Sequence, residues 1–133
     1  MADFHLQIVT PDRMVYDGQA EKIILRTVNG DVCILARHID YAAPLGVGVA
    51  KVTDDQGNER IAACNGGLLS VDKGQVRVMA TTFEWAEDID LARAEKAQQT
   101  AKAKLEAMDH HDREFVVTEA KLKRALARIQ VKG

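Results

Sequence analysis

Apolar and polar residues alternate from the start of the chain. Phe4, Leu6 and Ile8 are separated by His5 and Gln7, the two-residue period of a strand with one buried face. Thr10-Pro11-Asp12 ends that run. Further short apolar segments occupy 14–16, 22–28, 32–35, 47–52, 60–64, 68–71 and 75–81, with turn-forming residues between them. Asp17-Gly18 and Asn29-Gly30 are dipeptides that tolerate positive φ, and they predict tight hairpins. Asp54-Asp55-Gln56-Gly57-Asn58 and Asp72-Lys73-Gly74 read as polar tips between paired strands. Roughly eight to ten short strands separated this way predict a sandwich or flattened barrel around one hydrophobic layer.

The period changes after residue 82. Between 88 and 108 there is no glycine or proline, and Leu91, Ala94, Ala97, Ala101, Leu105 and Met108 recur every three or four positions, the stripe of a helix. Asp88 and Asp90 stand in or beside its first turn, where carboxylates favour the free N–H groups and the helix dipole. Met108-Asp109-His110-His111-Asp112 predicts a short polar connection, with Asp109 or Asp112 available as the next cap. Phe115, Glu119, Leu122, Leu126 and Ile129 mark a second stripe. So short a connection makes the two helices antiparallel neighbours, and alanines let them approach closely while burying little area. A hairpin of this kind is marginally stable by itself and is a candidate for movement.

Charge follows the same boundary. Half of the charged side chains of this 133-residue chain fall within 85–133, and the last basic residues, Lys121, Lys123, Arg124, Arg128 and Lys132, have no acid among them. The formal net charge of −2 gives no overall attraction to nucleic acid or to an anionic membrane. The N-terminal sequence lacks a signal-peptide layout, and no run approaches the roughly 18 apolar residues needed to span a bilayer. Cys33 and Cys64 lie in apolar stretches and are expected to be buried small hydrophobes in a reducing compartment.

Catalytic signatures are missing. There is no phosphate-binding G-x-x-x-x-G-K-[ST] loop, no G-x-S-x-G elbow and no H-E-x-x-H pair. Gly46-Val47-Gly48 and Asn65-Gly66-Gly67 read as turns or bulges. Adjacent loop histidines point apart, so His110-His111 reads as a solvated turn rather than a metal site. His38, beside Arg37 in a loop, reads as a surface contact.

One constellation stands out. With the helical turn near residue 110 or 111, Arg93 and Arg128 each lie about 17 residues from it, level with one another and about 25 Å away along the axes. Arg124 shares a face with Arg128 through i,i+4 spacing. Three guanidinium groups so gathered favour an anion among them, and their forks match phosphate oxygens. The alternative is a solvated basic face with Asp90, Glu95 and Glu119 as local partners. Three classes of function follow from the residues alone: an interaction subunit, a free-standing phosphate sensor, or a metal enzyme at the histidine turn.

The succession Ile8-Val9-Thr10-Pro11-Asp12, Gly30-Asp31 with Ile34-Leu35 and His38, Gly66-Gly67-Leu68-Leu69-Ser70-Val71 and the stretch 84–94 closely resembles the epsilon subunit of bacterial F-type ATP synthase. The resemblance spans nearly the whole chain. It implies an α+β fold: a ten-stranded β-sandwich over 1–84 that docks on the gamma subunit and the ring of c subunits, then an antiparallel helical hairpin over 88–133 that regulates. Such a protein is non-catalytic and requires no cofactor. It sits as part of F1 on the cytoplasmic face of the inner membrane, without inserting in it, and binds no nucleic acid.

Ile89-Asp90-Leu91-Ala92-Arg93-Ala94 has the form I-D-x-x-R-A, which marks the nucleotide site in ATP-binding members of that family. By this similarity Glu84, Ile89, Asp90, Arg93, Ala94, Arg124 and Arg128 belong to a site for regulatory ATP, the participation of magnesium being left open. A further basic position of the best ATP-binding relatives is Thr100 here. His38, Lys121, Lys123, Arg124 and Arg128 are the implied partner contacts, the basic helix meeting an acidic segment of the alpha and beta catalytic subunits. Relatives often carry G-x-L-P-G-H-x-P where this chain has Cys33-Ile34-Leu35-Ala36-Arg37-His38-Ile39-Asp40. Losing those glycines and prolines alters backbone preferences in the implied ring contact. The implied device is a two-state hairpin, folded down or extended to block ATP hydrolysis.

Overall fold

A computed structural model describes residues 2–132; Met1 and Gly133, the outermost positions of the two expected parts, lie outside the described residues. The strands are β1 (Phe4–Val9), β2 (Met14–Thr27), β3 (Gly30–Leu35), β4 (Tyr41–Pro44), β5 (Val47–Asp54), β6 (Glu59–Asp72) and β7 (Gln75–Trp85). A 3-10 turn (Ala86–Asp88) leads to the helices α1 (Leu91–Ala107) and α2 (Glu114–Lys132).

The order β1-β7-β6-β5-β2-β3 closes on itself because β1 pairs with β2 as well as with β7. Closure removes two free edges and gives a flattened β-barrel, or sandwich. Seven continuous strands stand where ten were expected, because three of them change neighbours part-way. The start of β2 pairs with β1 and its end with β3 and β5, with a register shift between Ala20 and Lys22. β6 pairs first with β5 and then with β4, and β7 pairs with β1 along its first half only. Inward residues of these strands, Leu6, Ile8, Ile23, Leu25, Ile34, Val52, Leu69, Val76 and Val78, form the core.

Three local expectations are corrected and one strand is added. Asp17-Gly18 is not a hairpin turn: it lies inside β2, opposite Gln7 and Leu6. Cys33 is exposed, since the β3 alternation turns Ile34 inward and Cys33 outward; only Cys64 is buried, and burial pushes its thiol up to about 12. Residues 41–44 form a strand paired with 68–71 despite Pro44. On α2 the buried face carries Thr118 and Ala125, with Leu122 and Ile129 half-buried, while Leu126 is 43% exposed and Glu119 pairs with Lys123 at 4.0 Å. Both sets keep the helical period and share 122 and 129; the buried line runs through the smaller Thr118 and Ala125 rather than through Glu119 and Leu126.

The turns obey the expected chemistry elsewhere. Lys73 and Gly74 both have positive φ in the two-residue turn between Asp72 and Gln75. The Asp54 carboxylate accepts the N–H groups of Asn58 and Gln56, which hold it below the usual carboxylate range.

His5 clasps three strands together on the outer face. Its Nδ1 lies 2.9 Å from Gln75 Oε1 on β7 and its Nε2 2.6 Å from Asp17 Oδ1 on β2. Only the imidazolium donates at both nitrogens. The bond to Asp17, then that to Gln75, raises its pKa above the ordinary 6.5. A raised folded-state value contributes stability that is full below pH 6.5 and is lost as pH rises through that value. The difference in thermal midpoint between wild type and His5→Gln is therefore expected to be largest near pH 6 and to shrink towards pH 8. A difference that grows with pH would exclude the clasp.

Candidate functional site

Trp85 ends β7 as a buried ring, edge-on to Phe83 at 5.1 Å and to Tyr16 at 6.5 Å. The Arg60 guanidinium covers it at 3.7 Å from the ring centroid and donates to Glu87 Oε1 at 2.5 Å. That contact lowers the Glu87 pKa and fixes the path of the chain out of the sandwich. Ile89 then plugs back against Ala63 and Ala127 and is 4% exposed. Asp90 caps α1 from an extended conformation, its Oδ1 accepting the Arg93 N–H at 3.1 Å. The Ile-Asp-x-x-Arg-Ala spacing is thus explained locally: a plug, a cap, and an arginine and alanine on the first helical turn.

α2 lies against β5 and β6. Its contact with the sandwich is thin. Ala63, Ile89 and Ala127 are the buried apolar residues there, with Val47 and Val131 half-buried beside them. Arg128 Nε donates to Glu84 Oε1 at 2.7 Å, both side chains about one-third exposed, and Lys132 Nζ donates to the Ala86 carbonyl at 3.1 Å. At the other end of the hairpin, Asp112 accepts the Glu114 N–H at 2.9 Å and starts α2.

Two connected hollows result. A cleft of about 340 Å3 is lined by Glu84, Asp88, Asp90, Arg93, Ala94, Ala97 and Arg128. A groove of about 380 Å3 shares Arg93, Ala97 and Arg128 with it and continues between the helices past Thr100, Lys104, Lys121 and Arg124. The cleft mixes carboxylate acceptors with guanidinium donors, whereas the groove carries cations and no acid. An elongated ligand with a hydrogen-bonding head and an anionic tail matches that gradient.

Of the expected site residues, Glu84, Asp90, Arg93, Ala94 and Arg128 line the same cleft, and Arg124 lines the groove. Ile89 supports the cleft from beneath, buried against the sandwich. Lys121 and Lys123 part company. Lys121 faces the groove, while Lys123 lines a separate hollow of about 740 Å3 with Arg26 and Lys51. His38 is in the β3–β4 connection, its Nδ1 2.8 Å from the Ile39 carbonyl and its ring edge-on to Tyr41. Asp88 and Ala97 are cleft residues that the motif did not include; the acid two positions before the cap was the available signal. Among the described residues, no cluster of His, Cys, Asp or Glu forms a potential metal site, and no helix is long and apolar enough to cross a membrane.

Comparison with known proteins gives a consistent picture. Residues 3–86 match the family described as ATP synthase, Delta/Epsilon chain, beta-sandwich domain, and residues 87–133 match the corresponding long alpha-helix domain. Among curated proteins, the ATP synthase epsilon chain of Caldanaerobacter subterraneus is 36% identical, covering 96% of this chain and 92% of its own. That of Shouchella clausii is 38% identical over 98% of this chain and 96% of its own. Among solved structures, a chain of the Euglena gracilis mitochondrial ATP synthase (OSCP/F1/c-ring) superposes with a TM-score of 0.84 at 23% identity, covering 96% of this chain and 79% of that one. A chain of the Tetrahymena thermophila central stalk and c-ring gives 0.65 at 13% identity, covering 97% and 96%. These two likenesses bear on the fold.

Proposed function

Because the chain belongs to the ATP synthase Delta/Epsilon family as an epsilon subunit, we propose that it works without chemistry of its own in the central stalk of a rotary ATP synthase. Its sandwich docks on the gamma subunit and the ring of c subunits, at the periphery of the membrane, and so takes part in coupling ion transport to ATP synthesis. Its hairpin inhibits ATP hydrolysis when it leaves the sandwich and inserts its basic α2 among the alpha and beta subunits. ATP in the cleft holds it down.

The observation that carries the regulatory reading is the Arg128–Glu84 bridge at the rim of the cleft. Glu84 belongs to the sandwich and Arg128 to the hairpin, so the cleft is complete only while α2 is docked. A ligand held by Arg128 together with Glu84 and Asp90 binds the docked state better than the extended one, which is the condition for shifting the equilibrium. The docked state is also weakly held. Burying Ile89 and Ala127 is worth about 2 to 4 kcal/mol before entropy is counted, and a partly exposed ion pair adds about 1 kcal/mol or less. An equilibrium of that size is within reach of a small ligand.

The test is ATP hydrolysis by the assembled complex with and without residues 88–133. Removal is expected to raise hydrolysis several-fold at low ATP, where the hairpin is extended, and to change little at high ATP. Equal rates at all ATP levels would remove the inhibitory role. Titration calorimetry of the isolated chain with ATP addresses the ligand separately, and absence of heat there would remove the nucleotide.

A further inference from the structure

The cations of the hairpin extend well beyond what the cleft requires. Arg93, Lys96 and Lys104 on α1 and Lys121, Arg124 and Arg128 on α2 all line the groove between the helices, with no carboxylate among its lining residues. Among the described residues, Arg128 alone of these six has an ion-pair partner within 4.0 Å. Exposed basic residues on a helical hairpin ordinarily find acids one turn away; Lys123 does so with Glu119. The groove residues do not, and they are ordered. Arg93 and Arg128 stand at the cleft end. Because the helices run antiparallel, Arg124 and Lys96 come next, then Lys121 opposite Thr100, then Lys104 nearest the turn.

The span from Arg93 to Lys104 is about 16 Å along the helix. A triphosphate seated between Arg93 and Arg128 leaves Lys104 and Lys121 unused. The floor is made of small side chains, Ala97, Ala101 and Thr118, the last two buried, so a thin ligand lies close to both helices. A globular ligand finds no enclosing depth in this open groove, and an uncharged one leaves its cations unpartnered. A narrow, flexible, uniformly charged chain meets both conditions.

We infer that this groove is a binding track for linear polyphosphate: a phosphate chain longer than that of a nucleoside triphosphate, entering at Arg93 and Arg128 and running to Lys104 and Lys121. The inference rests on the proposed reading of Arg93, Arg124 and Arg128 as phosphate-binding, and adds the ligand class that the rest of the groove selects. Bound in this way, a polyphosphate clamps α1 to α2 and neutralises the basic face of the hairpin. Its contacts all lie within the hairpin, so it fixes α1 against α2 and leaves the carboxylate end of the cleft free.

Calorimetric titration of the full chain with ATP, tripolyphosphate and a polyphosphate of several tens of units, at one ionic strength, tests this. Long-chain polyphosphate is expected to bind at least about tenfold more tightly than tripolyphosphate, per chain of protein. Lys104→Gln combined with Lys121→Gln is expected to abolish that advantage and leave ATP affinity unchanged. Lys102→Gln combined with Lys123→Gln, an equal loss of charge outside the groove, is expected to retain the advantage. The track is overturned if the long chain binds no tighter than tripolyphosphate, or if the Lys102→Gln and Lys123→Gln pair costs as much as the groove pair. Polyphosphate binding that depends on Lys104 and Lys121 in a chain that ignores ATP supports the track and removes only the nucleotide. ATP binding without any chain-length advantage removes the track and keeps the nucleotide.

Discussion

Gly67→Ala is expected to cost the sandwich about 4 kcal/mol or more and to lower its thermal midpoint by roughly 15 °C, or to leave the protein insoluble. Gly67 has φ +110, and a Cβ built there would stand 1.9 Å from the Met79 carbonyl oxygen and 2.8 Å from Ala80 Cα. Both are backbone atoms of the neighbouring strand, so no rotamer change relieves the clash. One strand must move away from the other at the point where β6 exchanges β5 for β4 as its partner. Gly30→Ala is the control. Gly30 has φ +118, but nothing lies within 4 Å of its added Cβ, so only the conformational strain of about 1 to 3 kcal/mol applies. A thermal midpoint for Gly67→Ala equal to that of Gly30→Ala would show that the strands do not approach so closely.

That glycine pair also shows what the amino-acid pattern conveys and what it hides. Asn65-Gly66-Gly67 is legible as a break, because two positive-φ residues have few other uses. It is not legible as a bend inside one continuous strand. The count of ten strands and the count of seven describe the same chain, since an interruption in apolar alternation looks alike whether the chain reverses or only changes neighbour. Asp17-Gly18 misled for that reason. Its glycine adopts no positive φ, and Tyr16 packs over it. Tyr41–Pro44 is too short and too small-sided to carry a period, and its pairing with β6 is decided by position in space.

The helices were legible in extent but less so in phase. Glu119 and Leu126 have the same helical spacing as Thr118 and Ala125, so the period alone does not choose between the two lines, and the contact takes the smaller side chains. Arg93 and Arg128 were found by arithmetic on helical rise alone, which works because an antiparallel hairpin keeps a simple register. The Glu84–Arg128 bridge was not reachable in that way. It joins residues far apart in the chain, and depends on which face of α2 rests on the sandwich.

The bridge makes the second large effect a quantitative one. Arg128 is engaged by Glu84, whereas Arg93 has no ion-pair partner among the described residues. A nucleotide that recruits Arg128 must loosen a pair worth about 1 kcal/mol or less at this exposure. A guanidinium–phosphate bond returns about 1.5 to 3 kcal/mol, so recruitment is favourable. Arg93→Ala is therefore expected to weaken ATP binding about 10- to 100-fold. Arg128→Ala is expected to weaken it more, because it removes a phosphate contact and also a tie between hairpin and sandwich. Glu84→Gln separates these two roles. It gives up the tie but leaves Arg128 free, so its loss should be the smallest of the three. Arg93→Lys keeps the charge without the planar fork and should fall between wild type and Arg93→Ala. Calorimetry with ATP on the four variants checks the order. If Arg93→Ala and Arg128→Ala both bind within twofold of wild type, the arginines are a solvated basic face and the switch has another ligand. If Glu84→Gln proves the most damaging, the carboxylate's own contact with the ligand outweighs both arginines, and its bridge to Arg128 is secondary.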